Sequence, residues 1–412
     1  MSLLLLLVLY AFPLLSLIIG LVGLYRNPSN WRRYLPMCIN FVFMGAYAYT
    51  PDPSSNEDLI RYFPQIEYIA LLPFEEALTY GGRGLIAQNL FFWIFGSLHM
   101  IHMVPAISTA TVYSIAGYIT CDTAERYNAK KYIFIVFLLQ LVILPYHSII
   151  CNVRNVFGLS IVLLAVYLDL AKGKRSLFVW FCYIFGTLMH LSVAILIVFR
   201  IVCILGEKYF EEFVLGQALF ATIVFNIYEL RSLFSFGGAL GNAIQTAIRK
   251  LNFYLTSTTH VGAVKYLRQS IFSTRTLMVI GAVLAVLIVW YVIRSKSTFF
   301  YDSKSLYVFV SFIAMTTISF HFFMMIPNYW RFAATLYVAI GILFIPLLRN
   351  YGRFSFIPKL LLVASILIGP AMLLFQIRLS LGLTNLTGWM FGTLTSNYIL
   401  VLFDFIKGMA SI

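Results

Sequence analysis

Residues 148–167, SIICNVRNVFGLSIVLLAVY, place Arg154 in a short polar break between two apolar runs, each of a length suited to a lipid bilayer. Arginine keeps its charge at any physiological pH and is costly to dehydrate, so its position here needs a cause. The flanking runs decide the fold class. Comparable apolar stretches recur at about 3–24, 34–50, 103–120, 132–150, 156–170, 177–190, 191–205, 213–228, 276–293, 305–325, 332–348 and 359–377, with a further one near 389–406. A bilayer core about 30 Å thick takes roughly 20 apolar residues per helix. The spacing therefore predicts an all-α, polytopic integral membrane bundle of about 12–13 transmembrane helices, a single transmembrane domain over residues 1–412. A transmembrane β-barrel would alternate polar and apolar positions, and LLVASILIGPAMLLF (361–375) does not.

Composition agrees: 61% of residues are hydrophobic and 11% charged, against roughly 25% charged in an ordinary soluble domain. The first apolar run (2–25) has neither a basic leader nor a small-residue cleavage site, and reads as a retained helix. Five cysteines, widely spaced and with no C-x-x-C pair, argue against a metal centre, a disulfide framework or redox work. The net charge of +14 would suit nucleic acid only on a soluble basic module, which this chain lacks. The alternative is that Lys and Arg set membrane orientation.

Their placement fits that alternative. The breaks YRNPSNWRR, CDTAERYNAKK, AKGKR, RSKSTFFYDSK and RNYGRFSFIPK hold most of the short-loop cations and are predicted to face the cytoplasm. The complementary breaks then lie on the periplasmic or outer side: 51–102, 151–155, 229–275, 326–331 and the region after 378. This alternation requires residues 85–101 to form a re-entrant or interfacial helix within the 51–102 loop instead of a full crossing. The first long outer segment is acidic (Asp52, Glu57, Asp58, Glu67, Glu75, Glu76); the 229–275 loop is basic (Arg231, Arg249, Lys250, Lys265, Arg268, Arg275).

Two outer breaks violate the charge rule, CNVRN with Arg154 and IPNYWRF with Arg331, and asparagines stand beside both: Asn152, Asn155 and Asn328. A single cation at a helix end can snorkel into headgroups. Two at one level, joined by Arg61 and Arg83, suggest an anion clamp, since the guanidinium fork matches phosphate or carboxylate oxygens. His190 falls at the same predicted level between two apolar runs, where imidazole can serve as a proton acceptor near neutrality or simply pack. His147 is a weaker candidate, and the remaining histidines read as structural. In PDPSSNEDLIRYF, Asp58 and Arg61 fall at i and i+3 of a helix start, either as a solvated ion pair or with Arg61 and Tyr62 lining a sugar or phosphate site. Lys250 and Tyr254 lie one helical turn apart and can pair a cation with a platform for a sugar ring. No Walker loop, no G-x-G-x-x-G on a strand and no D-x-D pair is present, so activated sugar or energy must come from elsewhere.

The series NEDLIRY, NVRNVFGLSIVLLAV, GTLMHLSVAIL, RKLNFYL and NYWRFAATLYVAIGILFIPLL resembles, in that order, the EpsG-like branch of the Wzy-type polysaccharide polymerases, from the first outer loop to about residue 348. The resemblance implies a GT-C-like membrane glycosyltransferase of the bacterial cytoplasmic membrane. Such an enzyme polymerises undecaprenyl-pyrophosphate-linked repeat units of O-antigen or exopolysaccharide on the periplasmic face, without metal, cofactor or nucleotide sugar. Its implied partners are lipid-linked glycans, membrane lipid and a chain-length regulator, with no nucleic acid. Arg154 and Arg331 would then hold the pyrophosphate leaving group, Asp58, Arg61 and Tyr62 the second lipid-linked substrate, and His190 would be the base, with Asp58 or Glu67 as substitutes. One departure is Asn155, where members of the family often carry Gln. Competing readings are a lipid-linked oligosaccharide flippase, which would spread cations through the bundle depth and show paired halves, an O-antigen ligase with the same donor, and a membrane acyltransferase.

Overall fold

The computed structural model describes residues 11–51, 58–82, 84–205, 306, 308–310, 312–313, 330–381, 398, 401–402 and 405–407. The chain is all-α, with no strand among the described residues. Numbered in chain order, the helices are α1 (Pro13–Arg26), α2 (Trp31–Tyr47), α3 (Asp58–Ala70), α4 (Phe74–Thr79), α5 (Ile86–Ser97), α6 (Met103–Arg126) and α7 (Ile133–Ile143). They continue with α8 (Tyr146–Cys151), α9 (Asn155–Val166), α10 (Leu177–Met189), α11 (Ala194–Leu205), α12 (Trp330–Ala339), α13 (Gly341–Arg349) and α14 (Phe356–Leu381).

The long apolar runs are divided more often than hydropathy predicts. Run 132–150 breaks at Leu144, which is extended, and at Pro145, which has no N–H to continue the helix. Run 332–348 becomes α12 and α13, and run 191–205 opens with a 3₁₀ turn, Leu191–Val193. No helix among the described residues is long and apolar enough to cross a membrane by itself. Helix α5, within the predicted interfacial stretch, has 12 residues and is thus about 18 Å long.

Helix α6 is the central pillar, packing against α2, α7, α8, α9, α12 and α13. Its sequence is rich in Ala, Ser, Thr and Gly, and such small residues let neighbouring backbones approach. A Cβ on Gly117 would lie 2.5 Å from a methyl of Leu35, and one on Gly341 of α13 would lie 2.2 Å from Thr120 Oγ1. Buried amides tie the layers together: Thr120 donates to Gln140 Oε1 at 2.8 Å, while Gln140 Nε2 donates to the carbonyls of Tyr337 and Val338 at 3.2 and 3.1 Å. Helices α9 and α10 run antiparallel, with Gly158 and Gly186 face to face; a Cβ on either would come within 2.8 Å of the other's carbonyl oxygen.

The molecule has two chemically distinct ends. At one, the described basic breaks gather: the turn Pro28–Asn30 packs against Lys130–Tyr132, which packs against α13. Glu125 there accepts from Trp31 Nε1 at 3.0 Å and pairs with Lys130 and Arg32 at 3.4 and 3.8 Å. Helix α9 ends at this level in a π-helical turn, Tyr167–Ala171. Asp122 binds Lys172 and accepts from Tyr167 Oη at 2.5 Å, and Asp169 accepts from Arg200 Nε at 2.7 Å and Arg175 Nε at 3.3 Å. Burial alone would lower the Lys172 ammonium, but its bond to Asp122, that carboxylate's charge and Tyr118 together hold it above its ordinary value. Arg200, inside the apolar run 191–205, is bound to Asp169. At the other end a second core, containing Met44, Tyr47, Tyr49, Leu59, Tyr62, Ile66, Phe92 and Val153, joins α3, α4 and α5 to the ends of α2, α6 and α8.

Candidate functional site

Arg154 sits at this second end, as the residue that begins α9. The break is held by local chemistry: α8 stops at Asn152, whose Nδ2 donates to Ser148 O at 2.7 Å, and α9 starts without a side-chain cap. The first amide N–H groups of a helix lack intrahelical partners and carry its positive dipole end, so Arg154 stands where the backbone already favours an anion.

The guanidinium is placed by two elements far away in sequence. Its carbon lies 4.9 Å from the ring centroid of Tyr62 on α3, and Nη1 donates to Gln88 Oε1 on α5 at 3.1 Å. Both supports are rigid. Tyr62 is 4% and Gln88 1% exposed, and the Tyr62 ring packs on Phe92 at 5.9 Å. Helix α5 is locked in register by Asn89, whose Nδ2 donates to the carbonyls of Leu78 and Tyr80 at 3.0 and 2.9 Å. It is locked against α3 by Gly96, where a Cβ would lie 2.7 Å from Ile66 O. Gln88, Phe92 and Gly96 follow i, i+4, i+8 spacing, which puts one face of α5 against Tyr62 and Ile66 of α3.

Among the described residues no carboxylate pairs with Arg154, whereas Arg175, Arg200 and Lys172 all have one. Near Arg154 in the chain, the Oδ1 atoms of Asn152 and Asn155 are buried with no hydrogen-bond partner among the described residues, in residues 7% and 5% exposed. A partly buried cation with no carboxylate partner among the described residues is an arrangement that an oxyanion would complete, whereas the two neighbouring amide oxygens, being acceptors, call for a donor such as a hydroxyl.

The other predicted residues divide. Asp58 and Arg61 form the expected i, i+3 ion pair, but the Arg61 side chain is 74% exposed while Tyr62 turns inward under Arg154, so these neighbours face different surroundings. His190 ends α10 with extended backbone, and its Nδ1 shares a 2.7 Å hydrogen bond with Ser192 Oγ. The antiparallel packing of α9 and α10 brings His190 to the same end of the pair as Arg154. His147 shares a 2.8 Å bond with Tyr49 Oη. Arg331 lies in the first turn of α12, which packs against α6 and α9; its side chain, with Arg83, Lys250, Tyr254 and Asn328, lies outside the described residues. Gly341, just after α12, meets Thr120 near the basic end, so the start of α12 lies about 15 Å back toward the Arg154 end.

Gln88 is the residue that sequence reasoning missed. Its signal was an amide inside the apolar run LIAQNLFFWIF, which read only as an interfacial helix. All five cysteines are buried thiols, and no group of three His, Cys, Asp or Glu side chains fit for a metal occurs among the described residues. Comparison of the chain with protein-family models, with curated proteins and with solved structures finds no match.

Proposed function

We propose that the protein is a membrane glycosyltransferase that polymerises undecaprenyl-pyrophosphate-linked oligosaccharide repeat units of O-antigen or exopolysaccharide. In this reading the chain is a GT-C-like helical bundle in the bacterial cytoplasmic membrane, and the Arg154 end faces the periplasm. The observation that carries the reading is the cation of Arg154, seated over Tyr62 and bonded to a neutral amide, with no carboxylate paired to it among the described residues. The gathering of the basic breaks at the opposite end supports the orientation, because cytoplasmic loops concentrate Lys and Arg. Exposed Leu177, Phe178, Trp180, Phe181 and Ile184 along α10 support a lipid-facing body.

The reaction transfers a growing glycan from one lipid diphosphate to a hydroxyl on another lipid-linked unit. The anomeric C–O bond to the diphosphate breaks, the acceptor oxygen bonds to the anomeric carbon, and the hydroxyl proton passes to a base. Charge grows on the departing diphosphate, and preorganised cations aimed at it stabilise the transition state more than the ground state. Arg154 takes this role, with Arg331 as its companion from α12. Asp58 and Arg61 hold the acceptor in this reading, and His190 is the candidate base. The arginines supply the positive charge, so the transfer needs no added metal or nucleotide.

The test is to incubate the purified protein in nanodiscs with a synthetic polyprenyl-pyrophosphate repeat unit and EDTA. Longer lipid-linked glycans are the expected product. Intact substrate without elongation would overturn the assignment and favour a transporter.

A further inference from the structure

Gln88 occupies the position from which a carboxylate would ordinarily hold an arginine. It is 1% exposed, fixed by the Asn89 and Gly96 contacts of α5, and its Oε1 accepts from Arg154 Nη1 at 3.1 Å. The partly buried cations at the opposite end are treated differently: Asp169 holds Arg200, and Asp122 holds Lys172. A glutamate at residue 88 would give Arg154 the same hydrogen bond and cancel its charge. An amide gives the bond and leaves the charge in place.

We infer that Gln88 is a positioning residue that aims the Arg154 guanidinium while keeping its charge available to a diphosphate headgroup. The inference rests on the anion-clamp reading of Arg154 and adds to it: the site is tuned by the neutrality of its tether, contributed by the short helix of the first outer segment. Arg154 is held on one edge by Gln88 and on one face by Tyr62, and among the described residues nothing else takes its remaining N–H donors, which are left for a ligand.

The test compares wild type with Gln88→Glu, Gln88→Met and Arg154→Ala, each purified in detergent, using farnesyl pyrophosphate as the probe and thermal unfolding as the control. Glutamate keeps the tether but neutralises the cation; methionine removes the tether but leaves the charge. Farnesyl pyrophosphate affinity is therefore expected to fall in the order Gln, Met, Glu, with Glu weaker than wild type by roughly 10-fold or more, the worth of one charge-assisted contact. Thermal stability is expected to follow a different order, with Gln and Glu alike and Met lowest. A purely structural role for Gln88 would give the same order in both measurements and overturn the inference, as would a Gln88→Glu protein that binds like wild type or fails to fold. Arg154→Ala separates the two ideas. If it loses binding while Gln88→Glu retains it, the tether inference fails alone; if it binds like wild type, the clamp itself fails.

Discussion

Arg154 and Tyr62 show how an exposed-looking charge becomes a defined tool. A guanidinium over a tyrosine face gains about 0.5–2 kcal/mol from the ring quadrupole, depending on how far it is desolvated, and here the ring is buried and backed by Phe92. The phenol oxygen is not needed for that contact. Tyr62→Phe is therefore expected to elongate glycan at close to the wild-type rate, whereas Tyr62→Leu is expected to lose roughly 2- to 30-fold in kcat/KM, measured by chain elongation with a synthetic lipid-linked unit. Equal loss in both variants would mean that the hydroxyl acts on substrate and that the ring is incidental. The arginine itself was legible in the sequence because a cation in an outer break conflicts with the charge rule. Its two supports were legible only in part. Tyr62 was singled out beside Arg61 as one of a pair lining a site, yet adjacent helical residues point about 100° apart, and only Tyr62 faces Arg154. Gln88 carries no charge and follows no motif, so nothing in the linear sequence joined it to a residue 66 positions later.

At the level of elements, the α9–α10 pair carries the site. Gly158 lies one turn after Arg154 and Gly186 one turn before His190, so the close backbone approach between them sets the separation of those two side chains. Neither glycine is required by backbone dihedrals; both are required by space. Gly186→Leu is expected to destabilise the protein by about 1–3 kcal/mol, the usual cost of forcing bulk into a packed contact, and to impair elongation more than its lower Tm explains, because the helix ends move apart. Thermal unfolding combined with elongation assays at a temperature where both proteins remain folded checks this. An unchanged Tm would show that the helices can separate without cost. Hydropathy located these elements well but not their breaks. The predicted span 132–150 ran through Pro145, and the spans 156–170 and 332–348 concealed a π-helical turn and the junction at Ile340, because apolar content is continuous across all three. Backbone geometry at such joints is decided by packing against α6, which hydropathy does not report.

Across the whole molecule, the described residues separate into a basic end, where Lys172, Arg175 and Arg200 each bind a carboxylate, and an aromatic end, where Arg154 has no carboxylate partner among them. Helix α9 with its π-helical turn spans 17 residues between Arg154 and Lys172, about 25 Å. In the membrane reading these ends face opposite aqueous compartments. A cysteine at residue 61 is then expected to react with a membrane-impermeant maleimide on intact spheroplasts, and a cysteine at residue 174 only after the membrane is opened. The five native thiols are buried and should give little background. Labelling of both positions from the same side would break the topology and with it the periplasmic site. The gathering of the basic breaks follows from charge asymmetry that the sequence displays openly. The anchoring of α3 and α5 over the Arg154 end depends on contacts between residues that are distant in sequence, and became visible only in three dimensions.

The central claim is that the uncompensated Arg154 charge stabilises a departing lipid diphosphate. Its most direct test is the elongation rate of Arg154→Ala on a synthetic polyprenyl-pyrophosphate repeat unit, in nanodiscs, at matched amounts of folded protein. A loss of about 10²- to 10³-fold in kcat is expected, as for removal of one preorganised transition-state donor; a rate equal to wild type would show that Arg154 does not act on the leaving group.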